Sequence, residues 1–499
     1  MEHTQSTAAG NFVPKASIIG VYNGTAKGGA PKARVAAYKV CWPAKQGGRC
    51  FDADILKAFD HAIDDGVDVI SASVGGKSRP YFKHAAAIGA FHAMKEGIVV
   101  VTSAGNSGPM LATVSIVAHW MITVAASTID REFESNVKLQ SGLTIKRKNY
   151  IHLLVRSKPT VEDAKLCKQA TLDGTKVKGK ILVCWGNNTR VDKGQQAVLA
   201  GAVGMILCND QMSGNDIIAD VHLLPVSHVS YNDGLAIFSY IKSTNNPIGS
   251  ITAPKATLGV KPAPTMASFS SRGPNLITPA ILKAAYTEGN SPSNEVFDNR
   301  RTAFNVMSGT SMSCPHVSGV VGLLKAIHPD WSPAAIRSAL MTTASPIHNT
   351  GKTLLDATRE AAIPFASGSG HIRPNLAADP GLAPYICPRL SNSSLLDFHN
   401  PSITVPALSG NLIVTRTVTN VGLPGTYTAR VGLPPGISVV VEPNVLIFKS
   451  QGQKERFSLH IKAVNTTYFA GVDQHKYGEL VWSDGTHTVR SPITVEIAR

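Results

Sequence analysis

The chain contains 499 residues, of which 43% are hydrophobic and 16% are charged. This composition excludes an intrinsically disordered protein, and the length allows about three globular domains. The formal net charge of +15 suits contact with acidic surfaces, but the basic residues are scattered and no nucleic-acid-binding motif accompanies them, so we expect no nucleic-acid partner.

The first part of the chain alternates predicted strands and helices. An apolar run at residues 35–40 (VAAYKV) predicts a buried strand. A helix is expected to begin near residues 51–54 and to end at Gly66, with one apolar face made by Ile55, Phe59, Ala62 and Ile63. Further strands are predicted at 67–76, 96–101 and 121–126, with a helix over 85–94 between the first two. This alternation predicts an α/β fold with a parallel sheet and helices on both faces.

A glycine-rich turn, SAGNSGP at residues 103–109, follows the strand predicted at 96–101. Its Asn106 has two interpretations. Asparagine tolerates the left-handed conformation of tight turns, and on its own the turn favours this structural role. An amide held at a strand end can also donate a hydrogen bond to a developing oxyanion.

The later parts of the chain differ in pattern. From about residue 139, apolar segments at 178–184, 195–201, 204–207 and 224–227 predict a compact β-rich unit. The segment MASFSSRGP at 266–274 returns the chain to the first fold. From about residue 394, short alternating strands at 413–418, 425–431, 437–441 and 455–459 predict a β-sandwich, with a Gly/Pro turn at 432–436.

The most informative motif is GTSMSCPHVSG, which begins at Gly309. It precedes helical apolar spacing at Val317, Val320, Val321, Leu323, Leu324 and Ile327. Ser311 is therefore expected on the first turn of a helix, where unsatisfied backbone N–H groups favour negative charge, as a nucleophile requires. For this motif alone, a capping serine on a buried helix is the competing interpretation. A second helix is predicted to begin at Ser332 and Pro333.

Together, SAGNSGP and GTSMSCPHVSG resemble the subtilisin-like serine proteases, most closely the plant subtilases, and the resemblance runs almost from end to end. It implies that Ser311 is the nucleophile of an acyl-enzyme mechanism on protein or peptide substrates and that Asn106 is the oxyanion-hole donor. It implies a substrate cleft lined by Ser71, Ser73, Gly75, Gly76, Ser103, Ala104 and Gly105. The implied domains are a catalytic domain at 1–138 and 265–384, a protease-associated domain at 139–264 and a fibronectin type III-like domain at 394–499.

The resemblance does not supply a complete catalytic triad. In the family, the base is the first histidine of His-Gly-Thr-His-Thr before Ser-Thr-Ala-Ala-Gly; here MEHTQ precedes that segment, so His3 matches the second histidine. We expect the triad histidine and aspartate to be absent. His3 as a substitute base is one alternative, whereas His316 corresponds to a position that supports the serine helix. In subtilisin, removal of the base lowers turnover by roughly 10⁶, so we expect this chain to be nearly inactive.

Two other functions stay open at this point. One is a non-catalytic protein that binds peptides or partner subunits through the remaining cleft. The other is a defective product that does not fold stably. In some members of the family, the protease-associated domain mediates dimers. The resemblance therefore leaves a homodimer through this domain open for the present chain.

The seven cysteines leave at least one unpaired. The resemblance implies disulfides Cys41–Cys50 and Cys167–Cys184, and Cys314 is expected to be a buried thiol. Sequons at Asn23, Asn187, Asn392 and Asn465 suit a glycoprotein, and the family is extracellular, in the apoplast or cell wall. No signal peptide is apparent at residues 1–3, and no apolar run approaches the roughly 18 residues of a membrane span. No metal-ligand spacing stands out, so we expect neither metal nor cofactor.

The family pattern is interrupted at three joins, near 138–139, after Lys283 and near 382–384. Relatives follow residues 281–283 with a Pro-Asp-x-x-Ala-Pro-Gly segment that carries a core strand. Its loss is expected to expose a sheet edge and to cost several kcal/mol, since single core cavities already cost about 2–5 kcal/mol. Clean joins of this kind favour skipped exon segments or a mis-predicted gene structure.

Overall fold

The computed structural model of the chain describes residues 2–18, 21–42, 50–142, 144–145, 151–155, 162–186, 189–218, 220–279, 303–304, 306–384, 396, 400–464 and 475–497. The helices are α1 (Glu2–Ala9), α2 (Asp52–Asp64), α3 (Ala85–Lys95), α4 (Glu162–Lys165), α5 (Gly174–Val177), α6 (Arg190–Leu199), α7 (Tyr231–Ser243), α8 (Thr310–Ile327), α9 (Pro333–Thr342), α10 (Pro364–Ser367) and α11 (Pro374–Ala377). The strands before the C-terminal region are β1 (Val13–Ile18), β2 (Val21–Ala26), β3 (Val69–Ala72), β4 (Val99–Ser103), β5 (Ile122–Val124), β6 (Arg131–Glu134), β7 (Val137–Leu139), β8 (Thr144–Ile145), β9 (Ile151–Val155), β10 (Ile181–Trp185), β11 (Gly204–Cys208), β12 (Val226–Val229), β13 (Ile248–Ile251) and β14 (Lys255–Leu258). The C-terminal strands are β15 (Leu382–Pro384), β16 (Ile403–Leu408), β17 (Asn411–Asn420), β18 (Gly425–Gly432), β19 (Ile437–Glu442), β20 (Val445–Phe448), β21 (Lys454–Ala463), β22 (His475–Ser483) and β23 (Thr488–Ile497).

A parallel sheet of β3, β4 and β5 forms the centre of the first region. All five residues of β4 are buried, as expected for a strand covered on both faces. Val99 and Val101 pack against α8 and α9, whereas Val100 packs against α2 and α3. This alternation follows from the two-residue period of a strand. The predicted α/β fold with helices on both sheet faces is therefore confirmed.

Local sequence signals explain where the helices of this region begin and end. Acidic residues at Asp52 and Asp54 occupy the first turn of α2, and Gly66 adopts the left-handed conformation just after its end. The Ser332 hydroxyl accepts a hydrogen bond from the Ala335 backbone N–H at 3.2 Å, and Pro333 is the first residue of α9. The predicted helices at 51–66, at 85–94 and after Ser332 are confirmed.

The strand predicted at residues 35–40 is wrong. These residues form no strand, and Val35 is 51% exposed. An apolar run becomes a strand only when a neighbour accepts and donates its backbone hydrogen bonds. In the described part of the chain, the parallel sheet ends at β3, and residues 35–40 form no hydrogen-bonded ladder with any strand.

The two edges of the parallel sheet differ in exposure. All three residues of β5 are buried, whereas the β3 residues are partly exposed.

The join after Lys283 lies outside the described residues, so its predicted effect on stability stays a prediction.

The region between β5 and α8 contains a second, mixed sheet of seven strands in the order β12-β11-β10-β9-β13-β7-β8. β9 to β12 run parallel, and β13 runs antiparallel to both β9 and β7. The antiparallel pair β6–β14 forms the stem through which the chain enters and leaves this unit, which we call the inserted region (residues 131–258). A disulfide joins Cys167 to Cys184 within it, and a second joins Cys41 to Cys50 in the first region.

The C-terminal region is a sandwich of a four-stranded sheet (β15-β17-β21-β19) and a five-stranded sheet (β16-β23-β22-β18-β20). Its core surrounds the buried rings of Tyr427, Phe457 and Trp482. The sandwich predicted from short alternating strands is thus confirmed. β15 pairs with β17 and belongs to this sheet, although the sequence assigned residues 382–384 to the catalytic region.

Candidate active site

Ser311 lies on the first turn of α8, which begins at Thr310 directly after the extended Gly309. The apolar face of α8 fixes the helix to the sheet: Val317, Val321 and Leu324 are buried, whereas Leu323 and Ile327 are exposed. The amino end of the helix therefore stands above the carboxyl edge of β3 and β4. Of the first backbone N–H groups of α8, that of Thr310 donates to Asn106, and those of Met312 and Ser313 donate to the Gly309 carbonyl. Among the described residues, this leaves the Ser311 N–H to favour negative charge on an oxygen beside it.

The backbone of Ser311 is held from the sheet. Pro315 lies inside α8 and has no N–H, so the Ser311 carbonyl lacks its usual partner four residues later. The Ser73 hydroxyl, just beyond β3, donates a hydrogen bond to that carbonyl at 2.8 Å. The proline in the sequence was a signal that this carbonyl needs an outside donor, although the sequence did not indicate which residue provides it.

Asn106 is fixed beside the same turn by Thr310. Its Oδ1 accepts hydrogen bonds from the Thr310 backbone N–H at 2.9 Å and from the Thr310 hydroxyl at 2.8 Å. The Gly105 backbone N–H in turn donates to the Thr310 hydroxyl at 3.2 Å. Because both bonds use the oxygen, the amide nitrogen is the end of Asn106 left to donate. Sequence reasoning treated Thr310 only as part of a turn and missed this role.

The remaining residues predicted to line the cleft occupy three kinds of position. Gly75 and Gly76 are exposed, with open space where a side chain would be. Ser103 and Ala104 are buried, so only their backbone borders the edge of the sheet. Ser71 lies against the middle of α8, where its hydroxyl is 2.8 Å from the Ser318 hydroxyl.

Gly105 occupies a site that only glycine fits. Its φ is +105°, and a Cβ there would lie 2.9 Å from the Ser271 hydroxyl oxygen. That hydroxyl accepts a hydrogen bond from the Ser107 backbone N–H at 3.0 Å. The segment that returns from the inserted region therefore supports the Asn106 turn.

The Ser311 hydroxyl needs a base, and the two candidate histidines differ. His316 lies in α8, where its Nδ1 is 2.9 Å from the Met312 carbonyl, and burial lowers the pKa of the ring. The side chain of His3 lies outside the described residues, although its helix α1 packs along α8. Within the residues that the structure describes, no histidine or carboxylate hydrogen-bonds the Ser311 hydroxyl.

Cys314 lies one turn into α8, with its sulfur 3.4 Å from the Val101 carbonyl. Burial raises the pKa of this thiol, which keeps it protonated and unreactive. Among the described residues, Cys208 is the other unbridged cysteine, and it is buried as well.

No group of His, Cys, Asp and Glu in the described ranges could hold a metal ion. The same ranges contain no helix both long and apolar enough to cross a membrane. Of the predicted glycosylation sites, Asn23 lies on β2, and Asn187, Asn392 and Asn465 fall outside the described residues.

Comparisons with known proteins cover nearly the whole chain. A model of the subtilase family matches residues 3–370, and a fibronectin type-III domain model matches residues 397–495. The chain is 52% identical to the subtilisin-like protease SBT5.4 of Arabidopsis thaliana, over 99% of this chain and 70% of that protein. It is 48% identical to SBT5.3 of the same plant, over 99% of this chain and 71% of that protein. It is 42% identical to the subtilisin-like protease Glyma18g48580 of Glycine max, again over 99% and 71%.

The comparison with SBT5.4 also bears on the joins. It extends over 551 aligned positions, which is 52 more than the chain has residues. At least that many positions of the relative therefore have no counterpart within the chain.

Proposed function

This chain belongs to the subtilase family of serine proteases, and on that premise we propose that Ser311 is its acyl-forming nucleophile and Asn106 its oxyanion-hole donor. The observation that carries the proposal is the joint anchoring of both residues. Ser73 holds the Ser311 backbone, and Thr310 holds the Asn106 oxygen so that the amide nitrogen is left to donate. A substrate carbonyl attacked by Ser311 would place its developing negative charge between that nitrogen and the Ser311 backbone N–H.

We further propose that the 499-residue chain hydrolyses peptide bonds slowly at most. Attack requires an acceptor for the Ser311 hydroxyl proton. The support is the match of His3 to the family's second histidine, together with the absence of a basic side chain hydrogen-bonded to Ser311 among the described residues. In subtilisin, removal of one oxyanion-hole donor lowers kcat by about 10²–10³, which is far less than the effect of removing the complete triad.

A fluorophosphonate probe tests both proposals, because it reacts with activated serines. We expect the folded chain to react slowly, at most about 10²–10³ times faster than its Ser311→Ala variant, because the oxyanion site remains while the base is missing. Complete labelling that disappears in Ser311→Ala would show that Ser311 has a base and would overturn the second proposal. Labelling that persists in Ser311→Ala would place an activated serine elsewhere and overturn the first.

The alternative function is peptide binding without cleavage, and the exposed backbone at Gly75 and Gly76 favours it. An extended peptide could add as a strand beside these residues. Fluorescence anisotropy of a labelled extended peptide would measure binding. Gly76→Pro removes one backbone N–H and should weaken binding, whereas Gly76→Ala keeps the N–H and should not, since its Cβ meets open space.

We propose the remaining assignments on family grounds. The inserted region corresponds to a protease-associated domain, predicted at residues 139–264 between catalytic segments 1–138 and 265–384. The second catalytic segment ends before β15, because β15 pairs within the sandwich, whose fibronectin type III-like domain is otherwise predicted at 394–499. The protein would be an extracellular glycoprotein, and the inserted region would be the place to test for a homodimer. Secretion and glycan mapping in plant cells would test the first point, and the mass of the protein in solution the second.

A further inference from the structure

The catalytic region and the sandwich are joined by a very short hinge, Asp379, Pro380 and Gly381. Ala378 packs against the core that contains α8 and α9, and Leu382 is buried in the core of the sandwich. The chain therefore passes from one core to the other within these three residues. Gly381 adopts a φ of +75°, and a Cβ there would lie 2.4 Å from the Tyr427 hydroxyl and 2.9 Å from the His487 Cβ. The hinge thus lies directly on the sandwich.

His487 contacts both sides of this junction. It lies in the turn between β22 and β23, and its side chain is 19% exposed. Its Nδ1 is 2.8 Å from an oxygen of Asp484 in the same turn, and its Nε2 is 3.2 Å from an oxygen of Asp379 in the hinge. The Tyr427 hydroxyl of β18 lies 3.4 Å from Nδ1. Among the described residues, Asp484, Asp379 and Tyr427 are the titratable groups that face the ring.

The two aspartates require both ring nitrogens to carry protons. A carboxylate oxygen only accepts hydrogen bonds, so Nδ1 and Nε2 must both donate, and the ring must be an imidazolium. Burial alone would lower the pKa of His487, but the hydrogen bonds to Asp484 and Asp379 outweigh it and raise the pKa. The protonated ring is therefore favoured by the fold.

The loss of one proton would break a particular bond. Asp484 also accepts hydrogen bonds from the backbone N–H groups of Thr486 at 2.9 Å and His487 at 2.6 Å. Burial raises the pKa of Asp484, but the bond from the His487 ring, followed by these backbone bonds, outweighs it and lowers the pKa to about 2. Asp484 is thus fixed as an acceptor beside Nδ1, so a neutral ring keeps its proton there. Nε2 would then point its lone pair at the Asp379 carboxylate, which is a repulsive contact.

We propose that His487 is a pH-sensitive latch, which clamps the hinge to the sandwich through Asp379 when it is protonated and releases the hinge when it is neutral. Because the folded protein favours the protonated form, the latch is closed below the ordinary histidine pKa and opens as pH rises through the raised value. Other contacts keep the two regions together in either state. Arg490 of β23 donates to the Ser369 carbonyl at 2.9 Å, and Phe365 packs edge-on against His475.

Hydrogen–deuterium exchange of the full chain, followed by mass spectrometry from about pH 5 to about pH 8.5, tests the latch across the histidine range. The reporters are the Leu382 and Val421 amides, which donate to the Pro380 and Gly381 carbonyls. After correction for intrinsic exchange, we expect protection at the hinge to fall about two- to fivefold as pH rises, a modest change because the Asp379 side chain is 70% exposed. Protection that stays constant over this range in the unmodified chain would overturn the proposal.

Two variants separate the latch from general pH effects. Asp379→Asn should abolish the pH dependence at the hinge and lower the pKa of His487 by about half a unit, measured by exchange of its ring C2 proton. Asp330→Asn removes an exposed carboxylate before α9 and should leave both quantities unchanged. An Asp379→Asn profile identical to that of the unmodified chain would show that the hinge does not sense His487.

Discussion

The close packing of α1 against α8 leads to a sharp prediction at Gly319. A Cβ at this position would lie 2.7 Å from the Ala8 carbonyl oxygen and 2.8 Å from the Gly29 Cα. Both are backbone atoms, which cannot rotate away as a side chain would. Gly319→Ala should therefore push α1 and the segment at residues 28–30 away from the helix that carries Ser311.

Gly322 provides a matched control on the same helix. A Cβ there would meet only the Ala30 Cβ, at 3.9 Å, which is an ordinary contact. Both substitutions gain the same helix propensity, about 1 kcal/mol, so this term cancels when the two variants are compared. Overpacking costs about 1–3 kcal/mol. We thus expect Gly319→Ala to be less stable than Gly322→Ala by about 1–3 kcal/mol, and Gly322→Ala to be slightly more stable than the unmodified chain.

Urea denaturation followed by circular dichroism would measure the difference in unfolding free energy, and hydrogen exchange would locate it. We expect faster exchange in peptides from α1 and the amino half of α8 in Gly319→Ala only. Equal stability of the two variants, with equal protection of α1, would refute the packing argument. The result bears on the proposed site because α1 contains His3, which the resemblance matches to the second histidine of the family's motif.

Three further predictions concern buried groups outside the site. Burial lowers the pKa of His371 to about 4, so the folded state resists protonation of this ring. The unfolding free energy should therefore fall by roughly 3 kcal/mol as pH drops from about 6.5 to 4. An acid denaturation profile that is the same in His371→Asn as in the unmodified chain would contradict this. Burial likewise lowers the pKa of Lys193 to about 8. The unfolding free energy of the unmodified chain, relative to that of Lys193→Met, should therefore rise by roughly 2–3 kcal/mol between about pH 8 and 10.5. A difference between the two proteins that stays constant with pH in urea titrations would refute this. Reduction of the Cys167–Cys184 disulfide, whose cysteines are 17 residues apart in sequence, should destabilise the inserted region by about 3 kcal/mol. If the unmodified chain and Cys167→Ser unfold at the same temperature under oxidising conditions, the disulfide makes no such contribution.

Much of the fold was predictable because its signals are local. Gly66 and Ser332 mark helix ends through conformations and hydrogen bonds that need only neighbouring residues. The buried run of β4 and the alternating strands of the sandwich follow from strand periodicity. The site was partly predictable for the same reason, since the turn before Ser311 and the turn at Asn106 are both local motifs.

Residues 35–40 show where such reasoning fails. Their apolar pattern is that of a strand, but a strand also depends on a neighbouring strand, which can come from any part of the chain. The Ser73 hydroxyl on the Ser311 carbonyl and the Thr310 hydroxyl on Asn106 depend in the same way on partners distant in sequence. Neither could be assigned from a pattern of residue types.

The sequence by itself determined the family, the helix that presents Ser311, the turn that carries Asn106 and the sandwich at the end of the chain, because each rests on contiguous residues. Only the tertiary structure decided which hydroxyl satisfies the carbonyl orphaned by Pro315, that β15 belongs to the sandwich, and that His487 meets Asp379 across the hinge. These contacts join residues far apart in sequence, and their energies arise only once the surrounding elements have packed and excluded water.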